Sequence, residues 1–394
     1  MPADHEAQPA TAPSGSVPLR VIASEWGRIG CTGFGGPPAH IALLRKLCVQ
    51  RRGWMSAAEF EDAIAATNLL PGPASTQLAI FCAWRLAGAA GAFVGGLSFI
   101  VPGLIVILGL SALFLAHAPP AWVTGAAAGA GAAVPAVAVS AAAGLMPASW
   151  QRMGPAVAAR ARWLGYALAG GIAAGLAGQL VVAVLAGCGA IELLIRRPPA
   201  RPGASAWLAP LASPAAAAAG GLASLAWVSI KVGALSFGGG FVIIPLMQHD
   251  AVHTYHWMTG AQFLGAVALG QVTPGPVVQT VAVVGYAAAG IGGGLLAAAV
   301  AFAPSFVFVL AGGRHFDSFR SSQRAQAFLS GAGPAAIGAI AGAAVTLGLE
   351  LTHYWQVAVL AGALCWLLAL RRGVVSAILA AAGAGVLLAL AGVS

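Results

Sequence analysis

Phe34-Gly35-Gly36, Trp54-Met55 and Pro71-Gly72-Pro73 return in the same order as Phe237-Gly238-Gly239, Trp257-Met258 and Pro274-Gly275-Pro276. The displacement is constant at 203 residues. After a one-residue deletion it becomes 202, so that Gly88 meets Gly290, Pro102 meets Pro304 and Gly129-Ala130-Gly131 meets Gly331-Ala332-Gly333. A repeat of this length, carried in hydrophobic sequence, marks a duplication. Transporters built in this way place the substrate where their halves meet.

Of the 394 residues, 59% are hydrophobic and only 7% are charged. A soluble domain carries about 25% charged residues because its surface has to be hydrated. The uncharged runs are long enough to span a bilayer, about 20 residues each. The 54 glycines suit close helix contact in lipid. The expected fold is therefore an all-α polytopic membrane protein. The net charge of +9 does not point to nucleic acid. The cations lie in short clusters between apolar runs, as in cytoplasmic loops, and not along one amphipathic face. Cys31, Cys48, Cys82, Cys188 and Cys365 stand singly, without a Cys-x-x-Cys pair. They read as mostly buried, inert thiols with no metal site and no disulfide framework. There is no phosphate-binding loop, zinc helix or nucleophile elbow, so the reading is not an enzyme and implies no cofactor.

Residues 1–18 are rich in Pro, Ala and Ser and read as a disordered tail, not a signal peptide. The first membrane repeat covers 19–197, a Pro-rich linker 198–221, and the second repeat 222–394. Within the first, apolar elements are expected at 19–48, 56–88, 90–116, 121–146, 162–177 and 180–196. Their counterparts are 222–249, 258–289, 291–313, 325–349, 354–370 and 373–392. The first element of each set is broken at Phe-Gly-Gly and the second at Pro-Gly-Pro.

The loop after the first element carries Arg45, Lys46, Arg51 and Arg52, whereas its counterpart carries His249, Asp250, His253 and His256. The loop after the third element has no Lys or Arg, and its counterpart has Arg314, Arg320 and Arg324. The basic side swaps between halves, so the positive-inside rule predicts two inverted-topology repeats. Only one net crossing then fits between Arg52 and His117. The Pro-Gly-Pro element should enter and leave on one face as a re-entrant pair, giving about five crossings plus one such pair per half.

Proline removes a donor and glycine relaxes the backbone, so no helix continues through Pro71-Gly72-Pro73 or Pro274-Gly275-Pro276. Free N–H groups following Pro73 and Pro276 would form an anion site, with Ser75, Thr76, Gln77, Gln279 and Thr280 beside them. The alternative is a kink that only shapes packing. Phe34, Gly35, Gly36 and Phe237, Gly238, Gly239 allow close approach of a ligand or of a neighbouring helix, with Thr32 and Ser236 adjacent. Arg28 and Lys231 are also 203 apart and precede these breaks by one to two turns. Charge in an apolar helix faces a cavity or a partner, or snorkels to the interface. Asn68 and Gln271 match just before the Pro-Gly-Pro breaks; Arg85 has no basic match. Glu59, Glu61 and Asp62 read as a solvated helix end or as proton-coupling groups, and His40 as a group that could titrate.

Phe34-Gly35-Gly36-Pro37-Pro38-Ala39-His40-Ile41, Trp54-Met55 and Asn68-Leu69-Leu70-Pro71-Gly72-Pro73-Ala74-Ser75-Thr76-Gln77 resemble the N-terminal signature of the chromate transporter family. Ser236-Phe237-Gly238-Gly239-Gly240 and Gln271-Val272-Thr273-Pro274-Gly275-Pro276 resemble its C-terminal signature. Pro38 departs from the small residue expected there. The resemblance spans roughly residues 20–393. It implies chromate export across the bacterial inner membrane, with sulfate as an isosteric competitor, and is compatible with proton coupling and with a homodimer. Sulfate import, a passive anion channel and a membrane-bound chromate reductase are the other readings. An inside-negative potential favours dianion exit by about 4.6 kcal/mol per 100 mV, twice the single-charge value. The expected cycle rocks one repeat against the other while Arg28 and Lys231 enclose the anion.

Overall fold

The computed structural model describes residues 17–68, 70–176, 178–196, 221–236, 240–312 and 322–393. Phe237, Gly238 and Gly239, Arg314 and Arg320, the linker before residue 221 and the tail before residue 17 lie outside the described residues. Every regular element among the described residues is helical. The first half runs α1 (Leu19–Thr32), α2 (Pro37–Arg45), α3 (Ala57–Thr67), α4 (Ala74–Phe114), α5 (Ala121–Met153), α6 (Val157–Leu176) and α7 (Val181–Arg196). The second repeats this as α8 (Leu222–Leu235), α9 (Ile244–Gln248), α10 (Gly260–Val272), α11 (Thr280–Gly312), α12 (Gln323–Leu349), α13 (Tyr354–Leu364) and α14 (Val374–Leu390).

The match extends to fine detail. Both α2 and α9 end in a wide π-turn, Lys46–Arg51 and His249–Thr254. Both α3 and α10 open with a reciprocal capping box, Ser56 with Glu59 and Thr259 with Gln262. Such a box satisfies two donors that the first helical turn would otherwise leave unpaired. In α1 the buried positions Ile22, Glu25, Trp26, Ile29 and Gly30 form one face at helical spacing. That face lies on α4, where a Cβ at Gly30 would come within 2.6 Å of the Phe99 carbonyl oxygen. Gly233 of α8 meets the Ala301 carbonyl of α11 in the same way.

α4 and α11 are not straight rods. Gly88 has φ 58° and ψ −149°, and Gly290 has φ 62° and ψ −153°, a region reserved for glycine. A Cβ on Gly96 would lie 2.9 Å from Ile80, and one on Gly95 3.3 Å from Ile22 of α1. A straight helix would hold residues 80 and 96 about 24 Å apart. The chain therefore doubles back at residues 87–88. The same reversal brings Gly294 against α11's earlier limb, where a Cβ would lie 2.9 Å from the Ala282 carbonyl oxygen. These reversals fall where the sequence divides 56–88 from 90–116 and 258–289 from 291–313. The one-residue deletion is absorbed just after Pro276. There a three-residue 3₁₀ turn, Val277–Gln279, stands where α4 starts with α-helix. Three residues at about 2.0 Å and four at about 1.5 Å both advance about 6 Å, which keeps Gln77 and Gln279 in register.

Helix α5 is longer than the expected 121–146. It continues through Pro147 to Met153 and stops only at Gly154, whose φ is 88°. α6 accordingly begins at Val157 instead of near residue 162. A proline bends such a helix without ending it when neighbouring packing holds both sides.

The halves interlock. α5 of the first half packs against α13 and α14 of the second, and α12 of the second packs against α6 and α7 of the first. Glycines make this approach possible. Gly129 lies on Ala381 and Gly385 of α14, while Gly331 lies on Cys188 and Glu192 of α7. Gly338 lies on Ala167 of α6, and Gly170 on Ala335 of α12. The molecule thus divides into a core, α1–α4 with α8–α11, and a frame, α5–α7 with α12–α14. In the core, α4 meets α11 directly, and Phe93 stacks on Phe306 at 5.4 Å. Four stretches, Ala74–Phe114, Ala121–Met153, Val277–Gly312 and Gln323–Leu349, are long and apolar enough to cross a membrane. Ile105, Leu168, Ile172 and Leu194 present an apolar outer surface. This is a multi-pass membrane protein.

Candidate functional site where the helix breaks meet

The two Pro-Gly-Pro breaks and the first Phe-Gly-Gly segment converge in the core, joined by Gly240 of the second half. The amide of Gly275 donates to the carbonyl of Gly33 at 3.0 Å, tying the second half's break to the first half's α1. A Cβ on Gly36 would lie 3.5 Å from Val277, and one on Gly240 3.5 Å from Val278. A Cβ on Gly72 would sit 2.6 Å from Gln77 and 3.1 Å from the Gly233 carbonyl of α8. Gly72 has φ 117° and Gly275 has φ 93°, so both need glycine for backbone conformation, and Gly72 needs it for space as well.

Each break leaves donors unspent. After Pro73, the first helical bonds are made by Thr76 and Gln77, both to the Pro73 carbonyl at 3.0 Å. The N–H groups of Ala74 and Ser75 precede them and have no acceptor within the helix. After Pro276, the first such bond is from Gln279, at 2.9 Å, and Val277 and Val278 precede it. These helix starts carry partial positive charge.

The side chains around the breaks are buried and only partly satisfied. Gln77 donates from Nε2 to the Pro71 carbonyl at 2.6 Å, and Gln279 from Nε2 to the Ile100 carbonyl of α4 at 2.7 Å. Facing carbonyls fixes both amide orientations. His40, fully buried, places Nε2 3.0 Å from the Gly33 carbonyl and Nδ1 3.3 Å from Ser75 Oγ. A carbonyl needs a donor, so Nε2 carries the proton and Nδ1 accepts from Ser75. Thr76 Oγ1, Gln77 Oε1, Gln271 Nε2, Gln279 Oε1 and Ser305 Oγ are buried with no hydrogen-bond partner. Each such atom costs about 1–3 kcal/mol. Four of the five belong to residues within four positions of a Pro-Gly-Pro. Ser305 follows Pro304 and matches Gly103, which itself lies against Gln279.

Other sequence candidates have different partners. Thr280 bonds back to the Val277 carbonyl, Ser236 to that of Val232 and Thr32 to that of Arg28. Asn68 caps α3 and is exposed, whereas its match Gln271 is buried. Phe34 is exposed. Arg85 pairs with Glu59 of α3 at 3.1 Å. Arg28 pairs with Glu25 at 2.9 Å, and Glu25 also holds Arg52 at 2.7 Å and Arg51 at 3.6 Å. Lys231 holds Asp250 at 2.5 Å, with the Trp227 ring 5.7 Å away. Both cations lie about 7.5 Å along the helix from the breaks, each answered by a carboxylate. Sequence reading placed Asp250 only in a loop, and missed Glu25, Ser305 and a frame cluster in which buried Glu192 accepts from Arg162, Arg196 and Tyr166. The Gly103–Ser305 correspondence was available in the 202-residue offset.

The sequence pattern of the family described as "Chromate transporter" matches residues 21–193 and 223–387. The chain belongs to that family. It is 30% identical over 354 residues to the chromate transport protein of Cupriavidus metallidurans, covering 86% of each chain. It is 28% identical over 353 residues to a probable chromate transport protein of Synechococcus elongatus, covering 85% of this chain and 86% of that one. A chromate transport protein of Pseudomonas aeruginosa is 30% identical over 337 residues, 81% of this chain and 79% of that one. No solved structure matches. In this member of a transporter family, the crossing of the breaks gathers unspent polar groups in the core.

Proposed function

We propose that this chain exports chromate across the bacterial inner membrane as a secondary transporter, confers chromate resistance, and works by alternating access around the crossed breaks. The observation that carries the reading is the set of buried, unpartnered polar atoms at the crossing in a member of the chromate transporter family. A tetrahedral oxyanion is complementary to them. The N–H groups of Ala74, Ser75, Val277 and Val278, the hydroxyls of Thr76 and Ser305, and Gln271 Nε2 all donate to oxygen. The Gln77 and Gln279 carbonyl oxygens suit bridging water or a protonated oxygen of the anion. Sulfate has the same shape and charge and should compete.

The swapped basic loops support inverted halves, each with five crossings and a re-entrant pair. Under that topology the loops after α2 and α9 face opposite sides. Arg28 and Lys231, both paired with carboxylates near those loops, then serve the two ends of the path in turn. This replaces joint enclosure of the anion by both cations. The membrane potential supplies about 4.6 kcal/mol per 100 mV for dianion exit.

Chromate flux into everted vesicles tests the reading, with imposed voltage and pH gradients as separate arms. Saturable, sulfate-inhibited flux that follows voltage is expected. Acceleration by a pH gradient at fixed voltage would show proton coupling. Conductance without saturation, or loss of Cr(VI) without flux, would replace transport with a channel or a reductase. Higher chromate accumulation in expressing cells than in a control strain would reverse the direction.

A further inference from the structure

α3 and α10 occupy equivalent places in the repeat but unequal surroundings. α10 lies along α5 of the frame, and α3 rests on α4 with no comparable seat on α12. A Cβ on Gly131 of α5 would stand 3.1 Å from the Leu264 Cβ of α10, and the Phe114 ring covers Gly265. Phe263 to Ala268 are buried, whereas Glu59, Glu61, Asp62 and Ala65 of α3 are exposed.

Two charged contacts follow this difference. Glu350 terminates α12, and its carboxyl group occupies the space that a side chain on Gly260, the first residue of α10, would need. Gln248 donates to it at 3.3 Å. A carboxylate is disfavoured at the C-terminus of its own helix and favoured at the N-terminus of another, so Glu350 gains from α10 only while α10 is docked. The matching first-half positions are Ala148 and Ala57, which supply nothing similar. On α3, Glu61 pairs instead with Arg45 of α2. Glu61 matches Leu264, the residue with which α10 meets the frame. Docking α3 in the manner of α10 would bring Glu61 to Gly333 of α12 and strip its carboxylate of water, which is unfavourable for an unpaired charge.

We propose that α3 and α10 dock alternately against the frame, that Glu350 is the positioning residue holding α10 docked, and that the Arg45–Glu61 pair holds α3 off. This rests on the alternating-access reading and specifies what moves. Because α5 and α12 each pack on the other half's helices, the sequence repeats cannot rock as separate bodies. The core moves against the interlocked frame, and the two re-entrant helices exchange environments.

The test uses the full-length protein with its five native cysteines replaced, once that protein is shown to insert and carry chromate. Gly131→Cys with Leu264→Cys reports the α10-docked state, and Glu61→Cys with Gly333→Cys reports the α3-docked state. A disulfide needs Cβ atoms about 3.5–4.5 Å apart, so the 131–264 pair, at 3.1 Å, has to open by only a few tenths of an ångström. Each pair should cross-link under mild oxidant in protein that transports beforehand. Each cross-link should stop chromate flux, and reductant should restore it. Glu350→Gln should lower the 131–264 cross-linking yield by roughly two- to fivefold and raise the 61–333 yield. Glu61→Leu should lower the 131–264 yield too. A merely structural Glu350 would leave that ratio unchanged. Absence of the 61–333 cross-link in flux-competent protein, or undiminished flux through cross-linked 131–264 protein, overturns the proposal while leaving the transport reading standing. Absence of flux before oxidation counts against the transport reading instead.

Discussion

The ion pairs beside the crossing are built on matched helices with opposite polarity. In the first half, α1 supplies the buried acid, Glu25, and the loop after α2 supplies Arg51 and Arg52, with Arg28 joining from the same helix. In the second half, α8 supplies the cation, Lys231, and the turn after α9 supplies the acid, Asp250. The matched helices therefore share a neutralised pair linking a broken helix to its following turn, and differ in which element supplies the acid. They also differ in redundancy. Glu25 has three arginines around it, while among the described residues Asp250 has Lys231 at 2.5 Å and the His249 ring at 3.8 Å.

That difference separates two roles for the cations, and gives the largest expected effect. Lys231→Ala leaves a nearly buried Asp250 without its lysine, a loss of about 3–5 kcal/mol in stability. Arg28→Ala leaves Glu25 with Arg51 and Arg52, and since Arg28 is half exposed the loss should stay below about 1 kcal/mol. Thermal unfolding in detergent would read both. Lys231→Ala combined with Asp250→Ala should recover most of the stability. If the double variant folds and still carries no chromate, Lys231 acts on the anion as well as on Asp250. If it carries chromate normally, the lysine is structural.

The breaks, the reversals at Gly88 and Gly290, and the repeated element order were legible because proline and glycine act on the backbone at their own position. The partners of the charges were not. Glu25 finds Arg52 27 residues away and Lys231 finds Asp250 19 away, through turns whose path no local pattern specifies. The exchange of α5 and α12 between halves was hidden for a related reason. Small residues at Gly129, Gly331 and Gly338 announce close packing, but they carry no information about which helix arrives. Asn68 and Gln271 show the same limit in one pair: equivalent in sequence, one is exposed and the other is buried, because α3 and α10 have different neighbours.

The two glutamines after the breaks extend the comparison at a smaller scale. Gln279 bridges the halves through Ile100, whereas Gln77 closes its own loop on Pro71. Gln279→Leu should therefore lower chromate flux more than Gln77→Leu does. A buried acceptor left unpaired costs about 1–3 kcal/mol, equivalent to roughly 5- to 150-fold if expressed wholly in the transport barrier. Initial rates at matched expression would decide. Equal losses would show that the bridge between halves contributes nothing beyond the local bond. Gly88→Ala and Gly290→Ala, by contrast, probe what the halves share. Each forces alanine into a glycine-only conformation at a cost of about 1–3 kcal/mol, and the two should lower the melting temperature equally. A clear inequality would mean that one reversal is supported by its surroundings more than the matched geometry suggests.

The smallest effect is expected at Arg85, which the first half has and the second lacks, Ala287 standing at the corresponding place. Arg85 donates to Glu59 at 3.1 Å, with both side chains about half exposed, 48% and 46%. An exposed pair of this kind contributes below about 1 kcal/mol. Glu59 would keep its capping bond to the Ser56 amide at 2.9 Å without it. Arg85→Ala should accordingly leave both melting temperature and chromate KM near those of the parent protein. A KM raised tenfold or more at unchanged stability would move Arg85 from the scaffold of α3 to the anion path. The first half would then carry a cation at the crossing that duplication did not provide.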